Sequence, residues 1–283
     1  MGNNFLIDTE RVRIALDKVM LKTANPTSVH QPTSAESGER IASKMIDADS
    51  IVKTQKLLDQ AIVLAWKDIK SNRRPPALTR TRWVWRLAGG YHISHPNPRL
   101  MEEAAQRFAS IGRNSLAQWA AQKAREEAGH DRLALLDIQS MGYNAEAVVQ
   151  ALVPSAVKAL MDYFTQTVQA TDPIDCVGCS YVCERLGVLR GEEYIQSVRA
   201  LLPPDIHATR WLRVHSGVGA EVKHVEDTVE VVAKLTPQDC IRVARACYET
   251  ALLRFTPPKE DYISDKELQN ILKPLKLNTC LRA

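Results

Sequence analysis

Apolar residues recur at intervals of three and four positions along most of the chain, with polar residues between them. This spacing places the apolar side chains on one face of an α-helix, and no run alternates residue by residue as a half-buried strand would. Prolines and glycines mark where helices end and begin. The pattern predicts helices over 7–23, 40–69, 83–95, 98–111, 115–141, 154–168, 173–190, 207–235 and 237–255, with a short one ending at 202. The sequence therefore predicts an all-α protein built as a helical bundle.

The segment 23–39 is rich in proline, serine, threonine and asparagine and has no sustained periodicity, which indicates a linker or a mobile arm. We expect residues 1–74 to form amino-terminal helices and a linker, and residues 75–283 to form the main bundle, within one structural domain overall. Two interpretations of the amino-terminal region stay open. It forms extra helices packed on the bundle, or an arm that contacts a second subunit in a homodimer.

Composition and charge narrow the range of partners. The 283 residues are 45% hydrophobic and 25% charged, an ordinary globular composition, and the formal net charge of +4 is spread along the chain. No apolar run is long enough to cross a membrane, and the amino terminus lacks a basic region followed by an apolar core. We expect a cytoplasmic protein with a small-molecule substrate and with neither a nucleic-acid nor a membrane partner.

Six cysteines are too few and too scattered for a secreted disulfide framework in a chain of 283 residues. Cys176, Cys179 and Cys183 follow one another at i, i+3 and i+7, so a helix carries them on one face. Cys-x-x-Cys also occurs in zinc, iron–sulfur and redox sites, but this spacing favours packing. We interpret the three cysteines as a buried stripe.

Two carboxylates precede a histidine in the predicted helix 115–141. Glu126 lies one turn before His130, and Glu127 lies three residues before it. At about 100° of rotation per residue, either carboxylate can share a cation with the imidazole. This arrangement is half of a metal site, and we expect Asp131 to orient the imidazole.

A second cluster lies in the predicted helix 207–235. Glu221, His224 and Asp227 succeed one another at intervals of three residues, so a carboxylate flanks the imidazole on either side. We expect Asp227 to orient the ring of His224. His215 lies nine residues before His224, which on a regular helix is the opposite face.

Gly217 and Gly219 lie between these two histidines. Extra residues inserted in the manner of a π-bulge would bring His215 back to the face of His224. The sequence therefore predicts a site that is incomplete or deformable at His215.

Glu184 and His92 are further candidate ligands. Glu184 is an acid inside an otherwise apolar run, so it needs a partner, either an arginine such as Arg185 or a metal ion. Two Glu/His pairs and a core acid on a third helix are the pattern of a carboxylate-bridged pair of metals in a helical bundle. Oxygen and imidazole donors without thiolate favour iron or manganese over structural zinc. The chemistry that this pattern indicates is dioxygen activation.

These motifs, in this order and spacing, resemble those of the haem-oxygenase-like di-iron oxidases, a group also described as iron-containing redox enzymes. The resemblance covers about residues 75 to 255. It rests on Glu126-Glu127-Ala-Gly-His130-Asp131, Asp137, Gly142, Asp172-Pro173, Ser180-Tyr181-Val-Cys-Glu184-Arg and the segment from His215 to His224. It implies a bundle of about seven core helices, here with extra amino-terminal helices, that holds two ferrous ions per chain and uses dioxygen as co-substrate.

Carried over by position, the resemblance implies metal ligation by Glu127 with His130, by Glu184, and by Glu221 with His224. Two departures concern the remaining ligands. Gly217 stands where the family has the first histidine of its last ligand helix, and His215 comes two residues too early. The early glutamate of many members is not evident, and His92 is the nearest candidate in its place.

The resemblance also implies the oxidation of a small amino-acid-like or fatty-acid-like substrate, with an external electron donor where the reaction requires one. We expect the substrate to enter near Trp83, Trp85 and Tyr91. The same scaffold carries thiaminase-like proteins and cofactorless PQQ-synthesis oxidases, so the fold alone does not fix the reaction.

Three alternatives stay open. One is a metal-free enzyme on the same scaffold, a hydrolase or an oxidase in which Cys179 or Cys183 is the nucleophile. Another is a ligand-binding protein with a degenerate site that has lost its metal, for which the departure at Gly217 is the main argument. The third is a protein that sequesters haem through a histidine.

Overall fold

The computed structural model describes residues 48–69 and 75–277. Within these residues the chain forms helices and no strand, apart from an isolated bridge between Tyr143 and Lys276. The α-helices, in chain order, are α1 (Ala48–Lys67), α2 (Arg80–Ser94), α3 (Asn97–Ser110), α4 (Asn114–Glu127), α5 (His130–Ser140), α6 (Ala145–Ala151), α7 (Ser155–Gln169), α8 (Asp175–Val188), α9 (Glu192–Arg199), α10 (Arg210–Val214), α11 (Glu221–Val232), α12 (Pro237–Phe255) and α13 (Asp265–Leu272). Two 3-10 helices, Lys259–Tyr262 and Lys273–Leu275, flank α13. The all-α prediction is confirmed.

Side-chain caps fix where several of these helices begin. The hydroxyl of Thr79 accepts a hydrogen bond of 3.0 Å from the backbone N–H of Arg82 at the start of α2. Thr236 caps α12 in the same way, and Ser264 and Glu267 form a reciprocal capping box on α13. Each cap satisfies backbone donors that the first turn of a helix leaves without an intrahelical partner. These helix starts are therefore determined by local sequence.

Two hydrophobic clusters form the interior. The first is built by α1, α3, α4, α7, α8, α11 and α12, and its buried members include Leu58, Phe108 and Tyr181. The second is built by α2, α5, α6, α9, α10 and α13, and its buried members include Trp83 and Ile138. The chain crosses between the two clusters several times, and two of these crossings lie between α4 and α5 and between α10 and α11. Both crossings carry carboxylate and imidazole side chains.

Helix α1 is the part of the amino-terminal region that the structure describes, and it packs on the bundle against α12. Its residues Leu58 and Ile62 are fully buried in the first cluster. The linker, the arm and the helices expected within 1–47 and 70–74 lie outside the described residues. The division of the chain at residue 74 stays a prediction.

A buried ion pair fastens α1 to α8. Asp59 of α1 accepts hydrogen bonds from Tyr181 Oη at 2.8 Å and from Arg185 Nε at 2.8 Å. Of the two partners expected for Glu184, the neighbouring Arg185 is therefore engaged elsewhere, with Asp59.

In the described part of the chain, no single helix combines the length and the apolar composition needed to cross a membrane. The pair α6 and α7 meets both criteria when taken together, but it is bent by 82°.

Two helices predicted as continuous are broken in the structure. The predicted helix 115–141 divides into α4 and α5, and the predicted helix 207–235 contains α10 and α11 with residues 215–220 between them. Helical periodicity does not reveal a short break, because the apolar residues on both sides of it still face the core. Both breaks fall at candidate ligands.

Replacing Gly178 by alanine should destabilise the protein by about 1–3 kcal/mol, the usual cost of overpacking a close contact. A β-carbon at this position of α8 would lie 2.8 Å from Ala246 Cβ and 2.9 Å from the backbone nitrogen of Cys247, both in α12. Urea denaturation measures the change in the free energy of unfolding.

The matched control is Gly191→Ala, because a β-carbon there meets no heavy atom within 4 Å and φ is −90°. We expect this variant to stay within about 0.5 kcal/mol of the wild type. Equal effects of the two substitutions would contradict the close approach of α8 and α12.

Candidate metal centre

The break between α4 and α5 places two ligand candidates at adjoining helix ends. Helix α4 ends at Glu127, and α5 begins at His130. Gly129 between them has φ 86°, in the left-handed region that residues with a β-carbon rarely adopt, so glycine permits the change of direction. His130 Nδ1 lies 3.2 Å from Glu127 Oε2. The sequence predicted this pair on one continuous helix, and the structure keeps the pair across a break.

The break between α10 and α11 returns His215 to the site. A β-carbon on Gly219 would lie 2.8 Å from a backbone carbonyl carbon of α10, and one on Gly217 would lie 2.5 Å from a backbone carbonyl oxygen of α8. Only glycine fits either position without a shift of the backbone. The turn brings His215 Nδ1 to 2.7 Å from Glu221 Oε1. His215 therefore joins the site as hypothesised, but through a broken helix and not through a π-bulge.

Glu127, His130 and His215 form a first candidate metal group, which we call the His215 group. One donor atom of each lies within 4.8 Å of the other two. Glu127 is buried, and the two imidazole centroids are 4.9 Å apart. His215 Nε2 is buried without a hydrogen-bond partner in the described structure, while its Nδ1 is held by Glu221. This is the usual state of a ligating histidine, whose other ring nitrogen donates to a carboxylate.

Glu184, Glu221 and His224 form a second candidate group, the Glu184 group, with one donor atom of each within 4.8 Å of the others. All three residues are buried. His224 Nδ1 lies 3.6 Å from Glu221 Oε2 and 3.6 Å from Glu127 Oε1, so the two groups adjoin. His224 Nε2 lies 3.3 Å from Glu126 Oε2, which adds a fourth carboxylate to the same region.

A lysine that the sequence analysis missed lies against the Glu184 group. Lys123 is 2% exposed, its Nζ is 2.7 Å from Glu184 Oε1, and it donates to the backbone carbonyl of His224 at 3.1 Å. The hydroxyl of Thr228 lies 3.2 Å from the other oxygen of Glu184, Oε2, and 2.8 Å from the carbonyl oxygen of His224. The available signal was position, because Lys123 precedes Glu127 by one helical turn and so shares its buried face.

Burial and short contacts determine the charges of the Glu184 group. Burial raises the pKa of Glu184 to about 7, with the Glu221 carboxylate acting in the same direction and Lys123 acting against it. Burial acts on Glu221 as well, but the hydrogen bond from His215 and the nearby imidazole of His224 outweigh it and lower the pKa of Glu221 to about 2. Glu221 is therefore an ionised carboxylate that lies beside the imidazoles of both His215 and His224.

The pKa values of Glu127 and His224 shift in opposite directions, in both cases because of neighbouring charged groups. Burial acts to raise the pKa of Glu127, but the hydrogen bond with His130 and the charge of His215 outweigh it and lower that pKa. Burial acts to lower the pKa of His224, but the nearby carboxylates of Glu221 and Glu184 together outweigh it and raise that pKa. A divalent cation bound to the His224 imidazole would displace the proton that its raised pKa favours.

His92 lies outside both groups, which corrects its prediction as a ligand. Its Nε2 lies 2.8 Å from the carbonyl oxygen of Val149 and 3.1 Å from that of Leu152. The imidazole therefore contacts backbone carbonyl oxygens at the carboxyl-terminal end of α6. These carbonyls have no hydrogen-bond donor within the helix.

Asp131 and Asp227 also lie away from the rings that they were predicted to orient. Asp131 accepts a hydrogen bond from His95 Nδ1 at 2.7 Å. Asp227 pairs with the exposed Lys223, one turn before it on α11. The predicted spacing was correct, but these carboxylates are on the outer side of their helices. The orienting carboxylates are glutamates within the two groups themselves.

Of the three cysteines predicted to form a buried stripe, Cys176 and Cys179 are buried, whereas Cys183 is partly exposed and lines a pocket. Cys176 and Cys179 are buried in the first cluster, and Cys179 Sγ contacts the hydroxyl of Thr250 at 3.3 Å. Burial raises the pKa of Cys179 to about 12 and that of Cys183 to about 11. Both side chains are therefore thiols at neutral pH, and neither belongs to a candidate metal group.

A pocket with an empty volume of about 740 Å³, its open mouth included, adjoins both groups. Glu127, His215, Glu184 and Glu221 contribute to its wall. The apolar and basic residues of the wall include Leu160, Met161, Phe164, Cys183, Arg190 and Arg254. A small molecule in this pocket would meet candidate metal ligands, apolar surface and cationic groups together.

A second pocket adjoins the first, and Arg190 and Arg254 line both. Trp83 and Trp85 line this second pocket, whereas Tyr91 lines neither and stacks on His95 with ring centroids 4.9 Å apart. Substrate entry near the two tryptophans stays a prediction, and Tyr91 is not part of that surface.

Comparison with known proteins identifies the fold. No family model matches the sequence, and no curated protein matches it. A domain of unknown function with a haem-oxygenase-like fold from Shewanella denitrificans is 19% identical with a TM-score of 0.52, over 80% of this chain and 87% of that chain. A TenA homolog from Pseudomonas syringae is 14% identical with a TM-score of 0.51, over 79% of this chain and 96% of that chain. The chain therefore has a haem-oxygenase-like helical fold, as predicted, and at these identities the likeness concerns the fold alone.

Glu184→Gln should destabilise the metal-free protein by about 3–5 kcal/mol, because removing one partner of a buried ion pair leaves Lys123 as an uncompensated charge. Replacing both partners, by adding Lys123→Met, removes that charge and should recover much of the loss. Urea denaturation at pH 8, where Glu184 is ionised, measures both effects.

The matched control is Asp162→Asn, which breaks the exposed 2.6 Å pair between Lys158 and Asp162. We expect it to cost less than about 1 kcal/mol. The account of the buried pair is wrong if Glu184→Gln costs no more than this control, or if the double variant is no more stable than the single one.

Proposed function

We propose that this chain is a non-haem iron enzyme that uses dioxygen to oxidise a small molecule, with a ferrous ion held by Glu127, His130 and His215. One observation carries the proposal: a carboxylate and two imidazoles converge beside a pocket, and His215 Nε2 is buried among them without a partner. Two histidines and one carboxylate are the ligand set of many non-haem Fe(II) oxygenases, in which iron supplies the activation of dioxygen.

The donor chemistry supports iron in preference to structural zinc. Neither candidate group in the described residues contains a thiolate, and the donors are carboxylate oxygens and imidazole nitrogens. Glu221 accepts the hydrogen of His215 Nδ1, which fixes the tautomer and leaves Nε2 to ligate. The carboxylate of Glu127 is kept ionised by its imidazole neighbours, so it is ready to bind a cation.

A carboxylic acid with an apolar body is the substrate class that the pocket supports. Arg190 and Arg254 are in its wall, and a guanidinium binds a carboxylate through two parallel hydrogen bonds. Leu160, Met161 and Phe164 supply apolar surface for the rest of such a molecule. These features support the amino-acid-like or fatty-acid-like substrate that the family resemblance implies.

The number of iron ions per chain is a separate question. The two-iron centre implied by the resemblance would place a second ion among Glu184, Glu221 and His224, which meet the distance requirement for a shared cation. Lys123 already lies against Glu184 in that group. Iron at the His215 group does not depend on whether the Glu184 group also binds a metal.

The rival functions have less support. A cysteine nucleophile needs thiolate character, and burial raises the pKa of both Cys179 and Cys183 far above neutrality. The hypothesis of a degenerate site relied on Gly217 in place of a histidine. The broken helix compensates for that change, because it brings His215 into a group of potential ligands.

His215→Ala should weaken ferrous ion binding by on the order of 100-fold or more and abolish iron-dependent dioxygen consumption, because it removes one of three ligands; loss of a mere supporting contact already costs about 10–100-fold. Anaerobic titration of the metal-stripped protein, with bound iron determined after gel filtration, measures the first effect. An oxygen electrode with candidate carboxylic acids measures the second.

His92→Ala is the matched control, since His92 was a candidate from the sequence but bonds backbone carbonyls in the structure. It should retain iron at a small cost in stability, about 1 kcal/mol. Equal loss of iron in both variants would contradict the ligand assignment. Full activity of metal-stripped protein, lost in Cys183→Ala, would support the cysteine alternative.

A further inference from the structure

We infer that the ammonium group of Lys123 takes the place of a second metal ion at the Glu184 group, so that the chain binds one divalent cation, at the His215 group. This inference rests on the proposed function, because it assigns the count of metal ions at the same site. It departs from the two-ion centre that the sequence resemblance implies.

The first argument is the geometry around Glu184. Lys123 Nζ lies 2.7 Å from Oε1, and Thr228 Oγ1 lies 3.2 Å from Oε2, so both carboxylate oxygens have protein neighbours. A second metal ion would need one of these oxygens at about 2.0–2.2 Å, beside groups that already contact them. In the His215 group the corresponding position is open, because His215 Nε2 has no partner.

The second argument is that Lys123 is built into the site. Its side chain is buried, and the backbone carbonyl of His224 accepts a second hydrogen bond from Nζ at 3.1 Å. A buried lysine is retained as a charged group only beside a compensating carboxylate. Lys123 and Glu184 therefore form a unit that a second metal would have to break.

The remaining unpartnered atoms of the Glu184 group do not require a metal. Glu221 Oε2 and His224 Nδ1 have no hydrogen-bond partner, but they face each other at 3.6 Å. A movement of well under 1 Å would join them in a hydrogen bond. The other oxygen of Glu221, Oε1, accepts a hydrogen bond from His215 Nδ1. Glu221 therefore orients a member of the His215 group without belonging to that group.

Lys123 is thus a positioning residue and does not contact the substrate. Glu184 and Glu221 line the pocket beside the His215 group, whereas Lys123 does not. It acts through Glu184, because it holds that carboxylate in place. It also supplies a positive charge that does not depend on the availability of metal ions.

The test is metal stoichiometry in the full chain. Metal-stripped wild type, Lys123→Met and the control Lys158→Met are titrated anaerobically with ferrous ion, and in parallel with manganese(II) followed by electron paramagnetic resonance. We expect one equivalent in the wild type and in Lys158→Met, which alters only an exposed pair. We expect two equivalents in Lys123→Met, with a spin-coupled manganese signal that is absent from the wild type.

Two equivalents in the wild type would overturn the inference and leave the proposed function intact. No bound metal in the wild type would overturn the proposed function and the inference with it. A folded Lys123→Met, verified by circular dichroism, that still binds one equivalent would also overturn the inference. If this variant does not fold, Lys123→Gln takes its place, and the wild-type stoichiometry remains decisive in either case.

Discussion

Charge buried in an apolar bundle is the constraint on which the site depends. Glu127, Glu184 and Glu221 are each less than a tenth exposed, and an ionised carboxylate is stable in such a place only beside a cation or several donors. Lys123 compensates the charge of Glu184, and the imidazoles of His130 and His215 contact Glu127 and Glu221. The charges stabilise one another as a network, and the part of it that contains Glu127, His130 and His215 is the candidate site for a divalent cation.

Two breaks in the helices create that network. Both occur where the chain crosses between the two hydrophobic clusters, one at Gly129 and one at the turn containing Gly217 and Gly219. A regular helix would carry His215 to the face opposite His224. Because both helices are interrupted, candidate ligands from four helix ends and from the middle of α8 come together beside one pocket.

Much of the fold was predictable from the sequence, and so were most residues of the two candidate groups. Apolar periodicity gave the helices, and acid-to-histidine spacing singled out Glu127 with His130 and Glu221 with His224. Spacing could not show which face of a helix is buried, so Asp131 and Asp227 were assigned to rings that they do not reach. Lys123 was missed because a lysine in a helix is ordinarily solvated, and only tertiary packing shows that this one is buried beside Glu184.

The central claim is that the His215 group binds iron, and anomalous diffraction at the iron absorption edge tests it most directly. Crystals of the metal-stripped protein would be soaked anaerobically with ferrous ion. The account predicts an anomalous peak within about 2.0–2.2 Å of donor atoms of Glu127, His130 and His215. Iron found only among Glu184, Glu221 and His224, or no ordered iron at either group, would contradict it.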